Sequence, residues 1–184
     1  TQASGSQINT NVADPESDTR HGTAVIGVLC SDDNAYGTTG ISHGATLRTC
    51  GTYYGGSPVW NVPGAIAVAI ANSYPGDVLL LEQQWDLTGS DGFVPIEWWT
   101  DSYPDQTYNA AYSAIANAAY NGYYVVECAG NGSIDMDALN WFFVGESGAI
   151  IVGAGGAYPG GTWSEGDLER LSFSSYGARC DVQG

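Results

Sequence analysis

The chain has 184 residues, with 20 Asp and Glu against four Arg and no Lys, for a formal net charge of −16. No basic patch is available to neutralise phosphates, which excludes a nucleic-acid partner. No apolar run approaches the roughly 18 residues of a membrane span either, so no membrane is expected.

The length fits one domain over 1–184, large enough to bury about 70% of its unfolded surface. The opening Thr-Gln-Ala reads as a processed terminus, and the acidic surface suits solubility outside the cell and cation binding. Residues 1–18 are polar and aperiodic, a loop or surface tail. In "TRHGTAVIGV" a histidine heads an apolar run, and Gly22–Cys30 predicts a buried helix too short to stand alone. "SDDNAYGTTG" is turn chemistry, and "ATLRTCGTY" reads as a strand. Val62–Ser73 predicts a helix that stops before Pro75, and "DVLLLEQ" predicts a strand buried on both faces. Trp85–Pro104 mixes aromatics, acids and Pro without periodicity; it is either a rim beside a cleft or a long loop packed over the core. Tyr108–Tyr120 places Tyr108, Tyr112, Ile115, Ala116 and Ala119 on one helical face, stopped by Gly122. "YYVVECAG" and "GAIIVGAGG" predict two more buried strands. This alternation predicts an α/β fold, a mostly parallel sheet with helices on both faces and ligands beyond the strands' carboxyl ends.

Few residues can carry chemistry. The four cysteines lack the close spacing of a zinc knuckle. Cys30 and Cys50 flank one loop, where a secreted setting permits a bridge, and Cys128 reads as a buried thiol. His21 either occupies a first helical turn capped by Asp18 or Thr19, or acts as a base, since the helix dipole disfavours an imidazolium there. His43, in "GISHGA", has no such setting and is read as solvent-facing. Asn131 ends a strand between two glycines. It is a turn former, a sequon with Ser133, or an amide aimed at a reacting carbonyl that small neighbours let approach.

"HGTAVIGV", "GTTGISHGATL", "GDVLLLE", "VVECAGN", "GAIIVGA" and "LSFSSYGARCDVQG" occur in an order and rough spacing that resemble the subtilisin-like serine proteases. The resemblance runs from about residue 20 to residue 184, interrupted by Trp85–Pro104, which reads as an insertion loop. It implies the central part of such a catalytic domain, incomplete at both ends, from a secreted endopeptidase acting on peptide or protein substrates. His21 then matches the catalytic histidine, with Gly22 and Thr23 at the helix start that orients its ring. Asn131 matches the oxyanion donor, and Cys128, Ala129 and Gly130 match the wall of the specificity pocket. Glu82, Gln83 and Gln84 stand where the family presents a Ser-Leu-Gly edge that pairs with the substrate backbone. The chemistry needs no cofactor, but the loop of Asp32, Asp33 and Asn34 matches one that carries structural calcium in many subtilisins; an ordinary acidic turn is the alternative.

Two parts of the family pattern are missing. No Asp-Ser-Gly or Asp-Thr-Gly strand end precedes His21; Asp14 and Asp18 look like loop acids. No Gly-Thr-Ser follows the Phe-Ser-Ser block; Gly37-Thr38-Thr39 is no substitute, and Ser172, Ser174 and Ser175 match a structural turn. The catalytic Asp and Ser are therefore expected on missing segments or a companion chain, and this chain alone is expected to be inactive. The contrasting expectation is an inactive extracellular binding module that kept the scaffold. Binding of carbohydrate through the six Trp and twelve Tyr is a weaker expectation, because most of these aromatics lie in elements that must pack.

Overall fold

A computed structural model describes residues 5–7, 21–54, 59–87, 89–98, 110–139, 145–156 and 169–184. It divides into two compact units, Thr1–Asn72 and Ser73–Gly184, where length alone suggested one domain.

In the first unit, β1 (Gly5–Gln7) pairs in parallel with β2 (Leu47–Thr49). Helix α1 (His21–Cys30) lies between them in sequence. Its apolar residues run round the whole helix rather than along one stripe, and the unit covers few of them: Cys30 alone is buried and Val28 is 63% exposed. The expected buried helix is thus an open one. The chain returns onto its last turn, where the amides of Ile41 and Ser42 bond the Val28 and Leu29 carbonyls at 3.0 and 2.7 Å. These carbonyls have no partner within a helix end. β3 (Tyr53–Tyr54) and β4 (Val59–Trp60) form a short antiparallel pair leading into α2 (Val62–Ala71). Asn61 caps α2 by accepting the Gly64 amide at 2.8 Å, with Pro63 in the first turn, and Asn72 closes its C-terminus. Val62, Ala65 and Ile66 are its buried residues. All four cysteines are free. The expected Cys30–Cys50 bridge does not form; Cys30 is buried at the end of α1, and the Cys50 thiol donates to the Ala65 carbonyl at 3.3 Å.

The second unit is built on a four-stranded parallel sheet ordered β10-β9-β8-β5, from β5 (Val78–Leu81), β8 (Tyr124–Cys128), β9 (Ile150–Gly153) and β10 (Val182–Gln183). Between β5 and β8 come the antiparallel hairpin β6 (Gln84–Asp86) and β7 (Phe93–Pro95), a 3-10 turn at Ile96–Trp98, and α3 (Ala110–Tyr120). Gly122, at φ +88°, ends α3 as expected. Ile115 is buried on α3 as expected, but it is joined by Ala111 and Ala118, whereas Tyr112, Ala116 and Ala119 are half-buried; Tyr108 lies outside the described residues. The pattern is legible one position round because small alanines occupy both faces.

Helix α3 packs on β8, and Val125, Glu127 and Ile151 are buried. Alternate residues, among them Val78, Leu80, Tyr124, Ile150 and Val182, are exposed, Tyr124 by 60%. Strands expected to be buried on both faces therefore bury one, because strand residues alternate in direction and α3 covers a single side.

The Trp85–Pro104 stretch is not a loop throughout. Asp86 closes the hairpin by accepting the amides of Gly89 and Gly92 at 2.9 and 3.1 Å, which permits Asp91 its φ of +64°. Residues 93–98 then enter the core, with Val94 and Trp98 clustered on Met136 and flanked by Trp85, Leu87, Ile134, Leu139 and Cys180. Aromatic-rich sequence without periodicity hid a short hairpin whose buried residues come from its end rather than from alternation. Thr88 and residues 99–104 lie outside the described residues.

Candidate functional site

Strands β5 and β8 are parallel neighbours, so their carboxyl ends deliver Glu82-Gln83-Gln84 and Cys128-Ala129-Gly130-Asn131 to the same edge of the sheet. There the two segments bond directly. The Asn131 amide donates to Gln84 Oε1 at 2.9 Å, and the Cys128 thiol donates to the Gln83 carbonyl at 3.5 Å. Glu82 is exposed, and Gln84 is already paired as a strand with Pro95, so the chain uses part of this edge itself.

The turn after β8 is fixed by the main chain on every side. The Ala129 amide reaches the Val152 carbonyl at 2.9 Å, and the Gly130 carbonyl accepts from the Ser175 amide at 2.9 Å. The amides of Gly132 and Ser133 reach the carbonyls of Phe93 (3.1 Å) and Phe173 (2.8 Å). Gly130 has φ +89°, and a Cβ at Gly132 would sit 2.1 Å from the Phe93 nitrogen. These glycines admit the chain's own Phe93, whereas the sequence suggested room for a substrate backbone. Ala129 and Gly130 are buried, and the Asn131 side chain is exposed.

Neither Cys128 nor the serines of the Phe-Ser-Ser block have the setting of a nucleophile. Burial, reinforced by the charge of Glu82, pushes the Cys128 thiol up to about 12. Ser174 and Ser175 are buried; Ser174 Oγ accepts the Ala154 amide at 3.0 Å, and Ser175 Oγ donates to the Phe93 carbonyl at 2.7 Å. They hold a turn, as expected.

His21 is the first residue of α1 and is exposed together with Gly22 and Thr23; His43 is also exposed. Asp14, Asp18 and Thr19 lie outside the described residues. His21 belongs to the first unit and Asn131 to the second. Asp33 and Asn34 are exposed, and Asn34 Oδ1 accepts the Tyr36 amide at 3.1 Å. Among the described residues no group of three or more His, Cys, Asp or Glu is gathered to hold a metal.

Sequence reasoning missed a buried polar cluster beneath the sheet. Glu97 and Glu127 are wholly buried, and Arg179 almost so. Arg179 Nε and Nη2 donate to Glu97 Oε1 and Oε2 at 3.0 and 3.2 Å, and Nη1 donates to Asp181 at 3.0 Å. The Ser147 hydroxyl also bonds Glu97. Burial works against the Arg179 charge, but Glu97, then Glu146 and Asp181, outweigh it and hold the guanidinium above its ordinary value. The available signal was a lone acid inside the apolar runs "VVECAG" and "VPIEWW". No protein-family model matches the chain, and no curated protein matches it in sequence.

Proposed function

We propose that the chain is the central part of a secreted subtilisin-like serine endopeptidase. The observation that carries the reading is the Cys128–Ser133 turn: a side-chain amide left exposed at a parallel strand's carboxyl end, on a backbone held rigid by neighbouring segments. A donor that stabilises a developing oxyanion works through such preorganisation. In this reading Asn131 supplies that donor. His21 takes the proton of a serine that lies outside this chain and returns it to the leaving amine, while an aspartate, also outside, orients its ring. Gln83 and Gln84 lie beside the peptide, with Glu82 disfavouring acidic side chains there.

The test uses the intact protein and a serine-directed covalent inhibitor. Labelling and peptide hydrolysis are expected in the wild type, with turnover lost in His21→Ala. Asn131→Ala should bind a substrate-like inhibitor nearly as well while turnover falls, because the amide acts on the transition state. An intact protein that cleaves peptides as fast with His21→Ala overturns the assignment. The buried Ser174 and Ser175 and the raised Cys128 thiol favour a second reading, an inactive binding module. A homogeneous 19.2 kDa species that takes up no inhibitor would support it.

A further inference from the structure

One guanidinium in the second unit serves more carboxylates than it can balance. Arg179 is engaged by Glu97, by Asp181 and, at 3.4 Å, by Glu146. A fourth acid, Glu127, points from β8 into the same buried cluster. Its Oε2 accepts a single bond, from the Glu97 amide at 3.2 Å, and its Oε1 is buried with no partner. An ionised carboxylate with one donor and no cation of its own is costly in such a place, whereas a neutral acid is tolerated.

We propose that Glu127 is held as a neutral carboxylic acid in the folded protein at neutral pH, and that its ionisation is an alkaline switch that loosens the segment Val94–Trp98. The surroundings agree. Burial first, and then the neighbouring charge of Glu97, push the Glu127 carboxyl up to about 8, against the opposing hydrogen bond from Glu97 and the charge of Arg179. Other elements packed on β8 bring no further cation: α3 carries no acidic or basic residue in its end turns, and β5 and β9 are Val-Leu-Leu-Leu and Ile-Ile-Val-Gly. A surface cavity of about 700 Å³, lined in part by Tyr120, Glu146, Ser147 and Gly148, borders the cluster at the serine that bonds Glu97.

The loosening would travel along the chain. The Glu97 amide rests on Glu127, and Glu97 lies two residues after β7, whose Phe93 carbonyl holds Gly132 and Ser175. The inference concerns the second unit alone and stands whether or not the peptidase reading does.

The sign follows from linkage. A carboxyl raised in the folded state keeps its proton where the unfolded chain has lost it. Its contribution to stability is therefore full below the ordinary carboxylate range and is lost as pH rises towards 8, by up to about tenfold in the folding constant per pH unit. Above that, both states are ionised and the loss levels off.

The experiment is carbon-13 NMR of the intact protein labelled in its seven glutamates, titrated from pH 4 to 10 alongside Glu127→Gln. One side-chain carboxyl is expected to titrate between about pH 7 and 9 and to be absent from the variant. If every glutamate in the wild type titrates below about pH 6, or if the high titration persists in Glu127→Gln, the proposal fails. Should the variant not fold, the wild-type titration still decides the protonation state. For the switch itself, hydrogen exchange of the Val94, Ile96, Glu97 and Trp98 amides, corrected for the intrinsic base-catalysed rate, should rise from about pH 5 to 8 in the wild type and level off above. A protection factor unchanged from about pH 5 to 8 overturns the switch.

Discussion

The two segments that the subtilisin resemblance marks for chemistry are built in opposite ways. From Ala129 to Ser133 the backbone is bonded outward to β6, β7, β9 and the 173–175 turn, and two glycines let Phe93 press against it. Helix α1, which begins at His21, is anchored at its far end by Gly40–Ser42 and leaves half of its residues exposed, its whole first turn among them. On the proposed peptidase reading, the fixed backbone suits a dipole aimed at developing charge, which is useful only if it does not reorient, and the open helix end gives a base its reach.

Substitutions on the two sides of this contrast should separate activity from stability. If the proposed peptidase reading holds, the largest effect is expected at His21→Ala, with turnover falling by several orders of magnitude because triad members act as a unit. Stability should stay within about 0.5 kcal/mol in urea unfolding, as for other exposed positions. Unfolding of the variant would break the contrast. Next, Arg179→Ala strands Glu97 in the interior and should destabilise the Ser73–Gly184 unit by about 3–5 kcal/mol, read as a lower urea midpoint. Gly132→Ala drives a methyl group into Phe93 and should cost about 1–3 kcal/mol, with the near-ultraviolet dichroism of the neighbouring tryptophans altered. The smallest effects are on the open helix and the quiet thiol. Val28→Ser should change stability by no more than about 0.5 kcal/mol. Cys128 should resist iodoacetamide at pH 8 until the protein is unfolded, when it reacts as an ordinary cysteine.

The core strands and helices α2 and α3 were legible because each rests on a local signal. Val78–Leu81, Tyr124–Cys128 and Ile150–Gly153 are short apolar runs bounded by turn residues, and α2 carries Asn61, Pro63 and Asn72 at its ends. The meeting of Gln84 with Asn131 followed once those strands were parallel neighbours, since parallel strands present the same ends to the same edge. Exposure was not legible. Nothing local in "HGTAVIGVLC" or "DVLLLE" says whether a partner covers them, and apolar content alone argued for burial. The Glu97–Arg179 pair escaped for a different reason, since its members are 82 positions apart and each is an ordinary charge in its own neighbourhood. The Phe93–Trp98 core entry escaped because a three-residue strand and a single 3-10 turn have no period to read.

The clamp at the end of α1 has a practical consequence. The Gly40 amide bonds the Ser31 carbonyl at 2.8 Å, and a Cβ on Gly40 would come within 2.5 Å of the Cys30 nitrogen. The chain is thus pinched shut where the loop begins and where it ends, and Asp33–Thr39 between these points is exposed throughout. Closing such a loop grows only logarithmically harder with length, about 0.6 kcal/mol for each doubling. The loop is therefore a splice point, where an epitope, a fluorophore-bearing peptide or a small reporter domain can be inserted while the clamp keeps the helix and the returning chain in register.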